Sequence, residues 1–306
     1  NIIGVPVSCI RRGHFILPGM KPDPAPPSGK PVFYLNASVE PDIGYRDIIH
    51  SVIKAGDPFL TTSGNRVAAA LVPPGARLGS DLSSSNIGPR LLELGLPLAE
   101  EMVRTIDWPH EAVASHLRVF PRNLAHVISS GGYREIEHDV FVGDNVDLAR
   151  TAAFETAKGP VVIDSGVKVM HFTYLEGPIR IGEGTKVIEH SSIKDVTAVG
   201  AGCKVGGEVE ATVIEPHSNK QHHGFLGHSW VGRWVNLGAG TSTSDLKNTY
   251  GTVRVYYRGA RVETRMQFLG SIIGDFTKSA VNTSLFTGKI VGAASMLYGT
   301  VTTNVP

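Results

Sequence analysis

Residues 215–225 read Glu-Pro-His-Ser-Asn-Lys-Gln-His-His-Gly-Phe, a polar stretch that sets His217, His222 and His223 beside Asn219 and Lys220. Histidine suits the removal of a proton from a nucleophile, because its unperturbed pKa of about 6.5 lies near working pH. A histidine of this stretch is thus a candidate base, and a solvated surface histidine is the plain alternative. Lysine supplies the charge that holds phosphate. The same histidines could instead hold a metal. His217 and His222 are five apart, as are His223 and His228, with His171 and His190 upstream. Three histidines around zinc, with one position open, would activate water.

A repeat positions this stretch. Ile163, Val169, Leu175, Ile181, Val187, Ile193, Val199, Val205 and Ala211 recur every six residues. That period fits neither a 3.6-residue helix nor the alternation of a half-buried strand. It fits a parallel β-helix of hexapeptide repeats, in which three short strands make one triangular coil. The repeated apolar residue points inward, and each coil is stabilised by its neighbours. The repeats begin near Val142 and run to about residue 214. After the break the spacing predicts a register shifted by two, at Phe225, Val231, Leu237 and Thr243. It is regained at Ile273, Ser279, Leu285, Val291 and Leu297, and residues 250–267 read as a deviating coil or an excursion. Cys203 reads as a small packed residue, and Trp230 and Trp234 as packing or subunit contacts.

Composition bounds the rest. The chain has 306 residues and a net charge of +1. There is room for two domains, and no bulk field argues for nucleic acid or an anionic membrane. No apolar run reaches the roughly 18 residues of a membrane helix. Neither nucleic acid nor membrane is therefore an expected partner. Two cysteines, Cys9 and Cys203, make no disulfide framework and point to a reducing, cytoplasmic setting. The chain starts at Asn1, and residues 1–20 do not read as a secretory signal, which points to a trimmed chain.

Residues 1–134 read as a small α/β domain, and residues 135–306 as the β-helix. Residues 1–8 are strand-like, 11–31 are proline-rich and irregular, and 31–35 are a strand. Residues 45–55 place Ile48, Ile49, Val52 and Ile53 on one helical face. Residues 65–72 suit helix or strand. Residues 90–104 are a helix candidate that Pro97 breaks or offsets. Turns at Asp107-Trp-Pro109 and Phe120-Pro121 lead out of the domain.

Three motifs carry a family likeness: Val205-Gly-Gly-Glu-Val-Glu-Ala with the histidine-rich break, Asn236-Leu-Gly-Ala-Gly-Thr241, and Ser244-Asp-Leu-Lys-Asn248. They resemble the acetyltransferase half of bifunctional N-acetylglucosamine-1-phosphate uridylyltransferase/glucosamine-1-phosphate N-acetyltransferase. They resemble more closely its divergent bacterial sugar nucleotidyltransferase-like relatives in the hexapeptide-repeat acyltransferase superfamily. The resemblance covers residues 135–306. It implies a left-handed β-helix, a homotrimer and an acetyl-CoA site between subunits. His222 falls on the family's catalytic histidine, and Asn236 on a sugar-binding asparagine. Phe225 falls on a sugar-contacting tyrosine, and Lys194 on an upstream arginine. The second basic position corresponds to about Thr212, so Lys220 or Lys247 would replace that charge, with Asn219 a further substrate contact. Asp245 replaces an asparagine near acceptor and cofactor. Gly238, Ala239, Ala293 and Ala294 would meet acetyl-CoA.

The family's nucleotidyltransferase domain opens with a Gly-x-Gly-Thr-Arg loop that cradles phosphates. Here Gly4 stands alone, and Gly79-Ser-Asp-Leu-Ser-Ser-Ser is a poor substitute. Residues 1–134 thus resemble a truncated or degenerate nucleotidyltransferase domain, and magnesium is expected only if that activity is retained. The resulting expectation is an acetyl-CoA-dependent N-acetyltransferase. Its acceptor would be an amino-sugar phosphate or a nucleotide-linked amino sugar, in sugar-nucleotide or cell-envelope precursor synthesis. The alternatives are a sugar-1-phosphate nucleotidyltransferase with the β-helix as assembly domain, and a non-catalytic trimeric scaffold. The γ-class carbonic anhydrases also place histidines on a hexapeptide β-helix. The sequence around these histidines lacks that family's pattern, so no metal is expected.

Overall fold

The structure is a computed structural model that describes residues 29–76, 78, 86–100 and 102–306. The readings placed on residues 1–28, Cys9 and Gly4 among them, and on the loop at Gly79 lie outside the described residues. Two compact units part at Asp107 and Trp108. The sequence reading set that boundary at residues 134 and 135.

In the first unit, strands Val32–Leu35, Arg66–Val72, Phe59–Ser63 and Leu98–Ala99 form one sheet in that spatial order. Ala68 to Val72 are all buried, because the sheet is covered on both faces. Leu60, Ala70, Val72 and Leu91 pack on one face, and Phe59, Ala69 and Leu71 on the other. Helix α1 spans Tyr45–Ala55, as its periodicity predicts, and stops at Gly56, whose φ is 75°. The helix expected over 90–104 is shorter. Helix α2 spans Ile87–Glu93, and Leu98–Ala99 then pairs parallel with the strand at Phe59–Ser63. Gly95 (φ 60°) and Pro97 end the helix between them.

The second unit opens with helix α3, Pro109–Ser129, which the two expected turns concealed. Pro109 sits at the first helical position, where a missing N–H costs nothing. The Glu111 carboxylate accepts from the Trp108 N–H at 2.9 Å. Pro121 lies inside the helix. The helix survives it because Val113, Val119, Phe120 and Leu124 are buried. Val113 packs on Val253, Val255 and Leu269, and Phe120 and Leu124 pack on Val162.

The remainder is a parallel β-helix, with three faces of stacked short strands. A covered face runs from Val140–Val142 through Val161–Ile163, Ile179–Ile181, Thr197–Val199, Val213–Ile214 and Trp230–Val231 to Ser271–Ile273 and Lys289–Val291. Half-buried Trp230 and Ile272 of this face pack in the cluster of α3 residue Val113. A lysine face stacks Asp147–Leu148, Lys168–Val169, Lys186–Val187, Lys204–Val205 and Asn219–Lys220. An acidic face stacks Ala153–Glu155, Tyr174–Glu176, Ser192–Lys194, Glu208–Glu210 and Phe225–Gly227. Corner hydroxyls add ladders: Thr197, Thr212 and Ser229 each accept from the backbone N–H of the next coil.

The six-residue register holds inward from Ile163 to Val205, all 0–3% exposed. Two expectations are corrected. Val209, not Ala211, stacks on Ile193. Only Gly206-Gly207-Glu208 link Val205 to Val209, whereas residues 188–192 link Val187 to Ile193 one coil earlier. After the break Leu226 is the buried residue, and Phe225 beside it faces outward. Residues 250–267 are an excursion, with strands Arg254–Tyr257 and Ala260–Glu263 paired antiparallel. Cys203 is packed, at 2% exposure. Among the described residues no helix is long and apolar enough to cross a membrane.

Candidate functional site

The break is the corner between the lysine face and the acidic face, and it carries His222 and His223 on a turn between Lys220 and Phe225. On the lysine face the parallel register aligns Lys186, Lys204, Asn219, Asn236 and Lys278 in one outward column. Coils stack about 4.8 Å apart. The Asn219 Nδ2 donates to Asn236 Oδ1 at 3.5 Å, a weak bond between exposed amides. Lys186 and Lys204 are exposed, and neither pairs with a carboxylate among the described residues. Lys278 Nζ donates to the Trp234 carbonyl. The structure thus brings Asn219 and Asn236 together, near His222. It adds Lys186 and Lys204, which the sequence reading passed over although both stand one residue before an inward valine of the repeat.

The expected phosphate contacts lie elsewhere. Lys194 Nζ sits 2.9 Å from Glu208 Oε1 and 3.2 Å from Glu210 Oε2 on the acidic face. The hydrogen bond that it donates to Glu208 is the largest cause of its raised pKa. Two carboxylates therefore neutralise the charge meant for phosphate. Lys220 is not a surface residue: it is 2% exposed, and burial lowers its pKa to about 8. Lys247 donates to the Thr252 carbonyl at 3.1 Å, within the excursion.

The cofactor candidates are divided between corners. A Cβ at Gly238 would stand 2.6 Å from the Ala280 backbone, so the next coil already requires glycine there. Ala239, on the histidine-bearing corner, accepts from Asn282 N–H at 2.7 Å. Ala294 belongs to another corner, above Phe276, and donates its N–H to Asp275 at 2.7 Å. A Cβ on Gly274 would lie 2.6 Å from the Ala293 nitrogen, which places Ala293 at that same corner. One chain does not bring the two pairs together.

A second cluster lies at the far end of the Phe225–Gly227 strand. His228 Nδ1 is 2.8 Å from Asp245 Oδ2, and its ring stacks on Phe268 with centroids 5.2 Å apart. Asp245 is buried, and Glu210 offers an oxygen within 4.8 Å of both partners. His228 holds a φ of 43°, a conformation that recurs along this β-helix, as at His190, His217 and Trp234. Phe225 lies along this strand, its ring edge 2.4 Å from where a Cβ on Gly227 would be, with Asp245 Oδ2 at 2.5 Å from the same point. Glycine at 227 is what lets ring and carboxylate approach. The sequence offered one signal for this pair: Asp245 departs from the asparagine of the resembled family. Among the described residues, no group of candidate metal ligands contains two of the histidines whose spacing was noted above. His217 stacks on Trp234 at 4.6 Å, and Phe172 stacks on His190 at 5.1 Å.

No family model matches the chain. A bifunctional sugar-1-phosphate nucleotidylyltransferase/acetyltransferase of Sulfurisphaera tokodaii is 33% identical over 143 residues, which is 46% of this chain and 36% of that protein. The bifunctional protein GlmU of Methanocaldococcus jannaschii is 33% identical over 86 residues, 28% of this chain and 21% of that protein. The matched stretches thus span 36% or less of these relatives' length. Among solved structures, the acetyltransferase domain of PglB from Neisseria gonorrhoeae in complex with acetyl coenzyme A aligns over 67% of this chain and 73% of its own. The identity is 10% and the TM-score 0.26. By sequence, then, this chain is similar to the bifunctional sugar-1-phosphate nucleotidylyltransferase/acetyltransferases, the kind of protein that its repeat and its break resemble.

Proposed function

We propose that this chain carries an acetyl-CoA-dependent N-acetyltransferase site for an amino-sugar phosphate or a nucleotide-linked amino sugar. The supporting observation is the column Lys186–Lys204–Asn219–Asn236 beside the turn that bears His222. In this reading the two carboxamides bond sugar hydroxyls. Lys204 and Lys186 pair with phosphate, in place of Lys194 and Lys220. The acceptor nitrogen attacks the thioester carbonyl, His222 takes the proton that the nitrogen loses and passes it to the CoA sulfur as the carbon–sulfur bond breaks, and CoA leaves as the thiol. Acetyl-CoA is the cosubstrate, approached by Ala239 and, from another copy, by Ala293 and Ala294. A homotrimer in the cytoplasm completes the proposal, and the opposite charge of two faces of the same β-helix supports contact between copies.

Thiol release from acetyl-CoA, with a panel of amino sugars and their phosphates, tests it. His222→Ala is expected to lower kcat by about 10²–10⁴-fold. A His222→Ala protein as active as the parent sinks the assignment. One observation favours a second reading of the base: of His217, His222, His223 and His228, it is His228 whose ring a buried carboxylate holds. His228→Ala run beside His222→Ala decides between them. Nucleotidyl transfer by the first unit remains the alternative activity, and release of pyrophosphate from nucleoside triphosphates with sugar 1-phosphates decides it.

A further inference from the structure

Lys220 stands where the neighbouring coils have apolar residues. The register stacks it on Val205, with Val187, Val169 and Leu148 beyond. A buried ammonium persists only where its donors are met. Lys220 Nζ donates to the Gly206 carbonyl at 2.7 Å and to the His222 carbonyl at 2.6 Å. The shortened corner at Gly206-Gly207 makes the space. A Cβ at Gly207 would stand 2.8 Å from Nζ and 2.9 Å from the carbonyl oxygens of both His222 and Gly224. Gly207 also has a φ of 69°, so both its conformation and its surroundings call for glycine.

We propose that Lys220 is a positioning residue: from inside the β-helix it fixes the backbone of His222 and holds the 221–224 turn at the edge of the acceptor column. This rests on the acyl-transfer reading of that turn. The ring of His222 is exposed, and no described bond holds it. Its placement therefore depends on its backbone, and Lys220 reaches that backbone from the enclosed side. An apolar side chain of equal length would fill the core and leave the Gly206 and His222 carbonyls without this donor.

The test compares the full chain with Lys220→Met by amide hydrogen exchange and by steady-state kinetics with acetyl-CoA and an amino-sugar phosphate. Exchange over 221–225 is expected to rise about tenfold or more, while the remaining coils keep the parent's protection. With acetyl-CoA and acceptor saturating, kcat is expected to fall about tenfold with little change in the KM for acetyl-CoA. Unchanged exchange over 221–225 overturns the clamp. A loosened turn with undiminished kcat overturns its part in the reaction. A parent chain inert toward every acceptor overturns the acyl-transfer reading instead, and the exchange result still judges the clamp. Where Lys220→Met does not fold, Lys220→Leu, apolar like the residues it stacks on, carries the same comparison.

Discussion

Lys220 shows how a single side chain ties stability to pH. Burial lowers its pKa from 10.5 to about 8, with no opposing charge to offset the desolvation. Between those values the unfolded chain carries the proton and the folded chain does not. Stability therefore rises with pH across this window, and the contribution is lost again as pH falls through 8. The gap is worth about 3 kcal/mol at most. Urea melts from pH 7 to 10.5 should show the parent gaining stability relative to Lys220→Met, with the difference flat below pH 7.5. A constant difference across the whole range would show that the amine titrates alike in the folded and unfolded chains, the two carbonyl bonds having offset its burial. Core truncation is blunter: Leu175→Ala, at a fully buried site, is expected to lose about 2–5 kcal/mol at every pH. The sequence showed Lys220 only as a charge in a polar break. Its inward direction follows from the shortened corner one coil earlier, and a six-residue count does not register that shortening. Lys194 was misjudged for a related reason. Glu208 and Glu210 are distant in sequence and become neighbours only when the coils stack.

At the scale of elements, the repeat was legible and helix α3 was not. Inward valines, leucines and isoleucines every six residues need no tertiary knowledge to recognise. Asp107-Trp-Pro109 and Phe120-Pro121, by contrast, carry proline signals that mark turns in isolation. The covered face of the β-helix overrides them by burying Val113, Phe120 and Leu124. Pro121 is exposed, so Pro121→Ala removes no packing. It should restore a helical hydrogen bond worth up to about 3 kcal/mol, offset by roughly 0.4–1 kcal/mol of unfolded-chain entropy. A denaturation midpoint above the parent's is expected, and a lower one would mean that α3 needs the distortion. The helix also bonds to the coils through His116, whose Nε2 lies 2.6 Å from the Val196 carbonyl. A carbonyl only accepts, so Nε2 carries the proton. Burial lowers the His116 pKa from 6.5 to about 4. Below pH 6.5 the unfolded chain takes up a proton that the folded one refuses, and stability falls until pH 4. His116→Gln, which keeps a donor, should abolish that slope in melts from pH 7 to 4.

At the scale of the β-helix, two uncovered faces carry opposite charge. Lys168, Lys186, Lys204 and Lys278 point out from one. Glu155, Glu176, Glu208 and Glu210 point out from the other, against Lys194 and the bridging Lys158. Within one copy these faces cannot meet, because they are two sides of the same triangular coil. Between copies, the lysine face of one can meet the acidic face of the next. That contact is heterologous, and it closes into a ring when the rotation between copies closes. Three copies around an axis would bring the His222 corner of one toward a neighbour, and with it the second pair of cofactor candidates, Ala293 and Ala294, which a single chain leaves apart. The repeat alone could not reveal this, since it specifies which residues point inward and leaves the outward ones free. Lys168→Glu with Lys278→Glu, which spares the proposed phosphate contacts Lys186 and Lys204, should shift sedimentation toward smaller species. Adding Glu208→Lys and Glu210→Lys should recover assembly, because the complementarity is then reversed on both faces. Surface pairs are screened by salt, so the parent's assembly should also weaken from 0.05 to 0.5 M NaCl, a range over which the Debye length falls from about 14 Å to about 4 Å. Double-reversal chains that remain dispersed at low salt would show that charge does not hold the copies together.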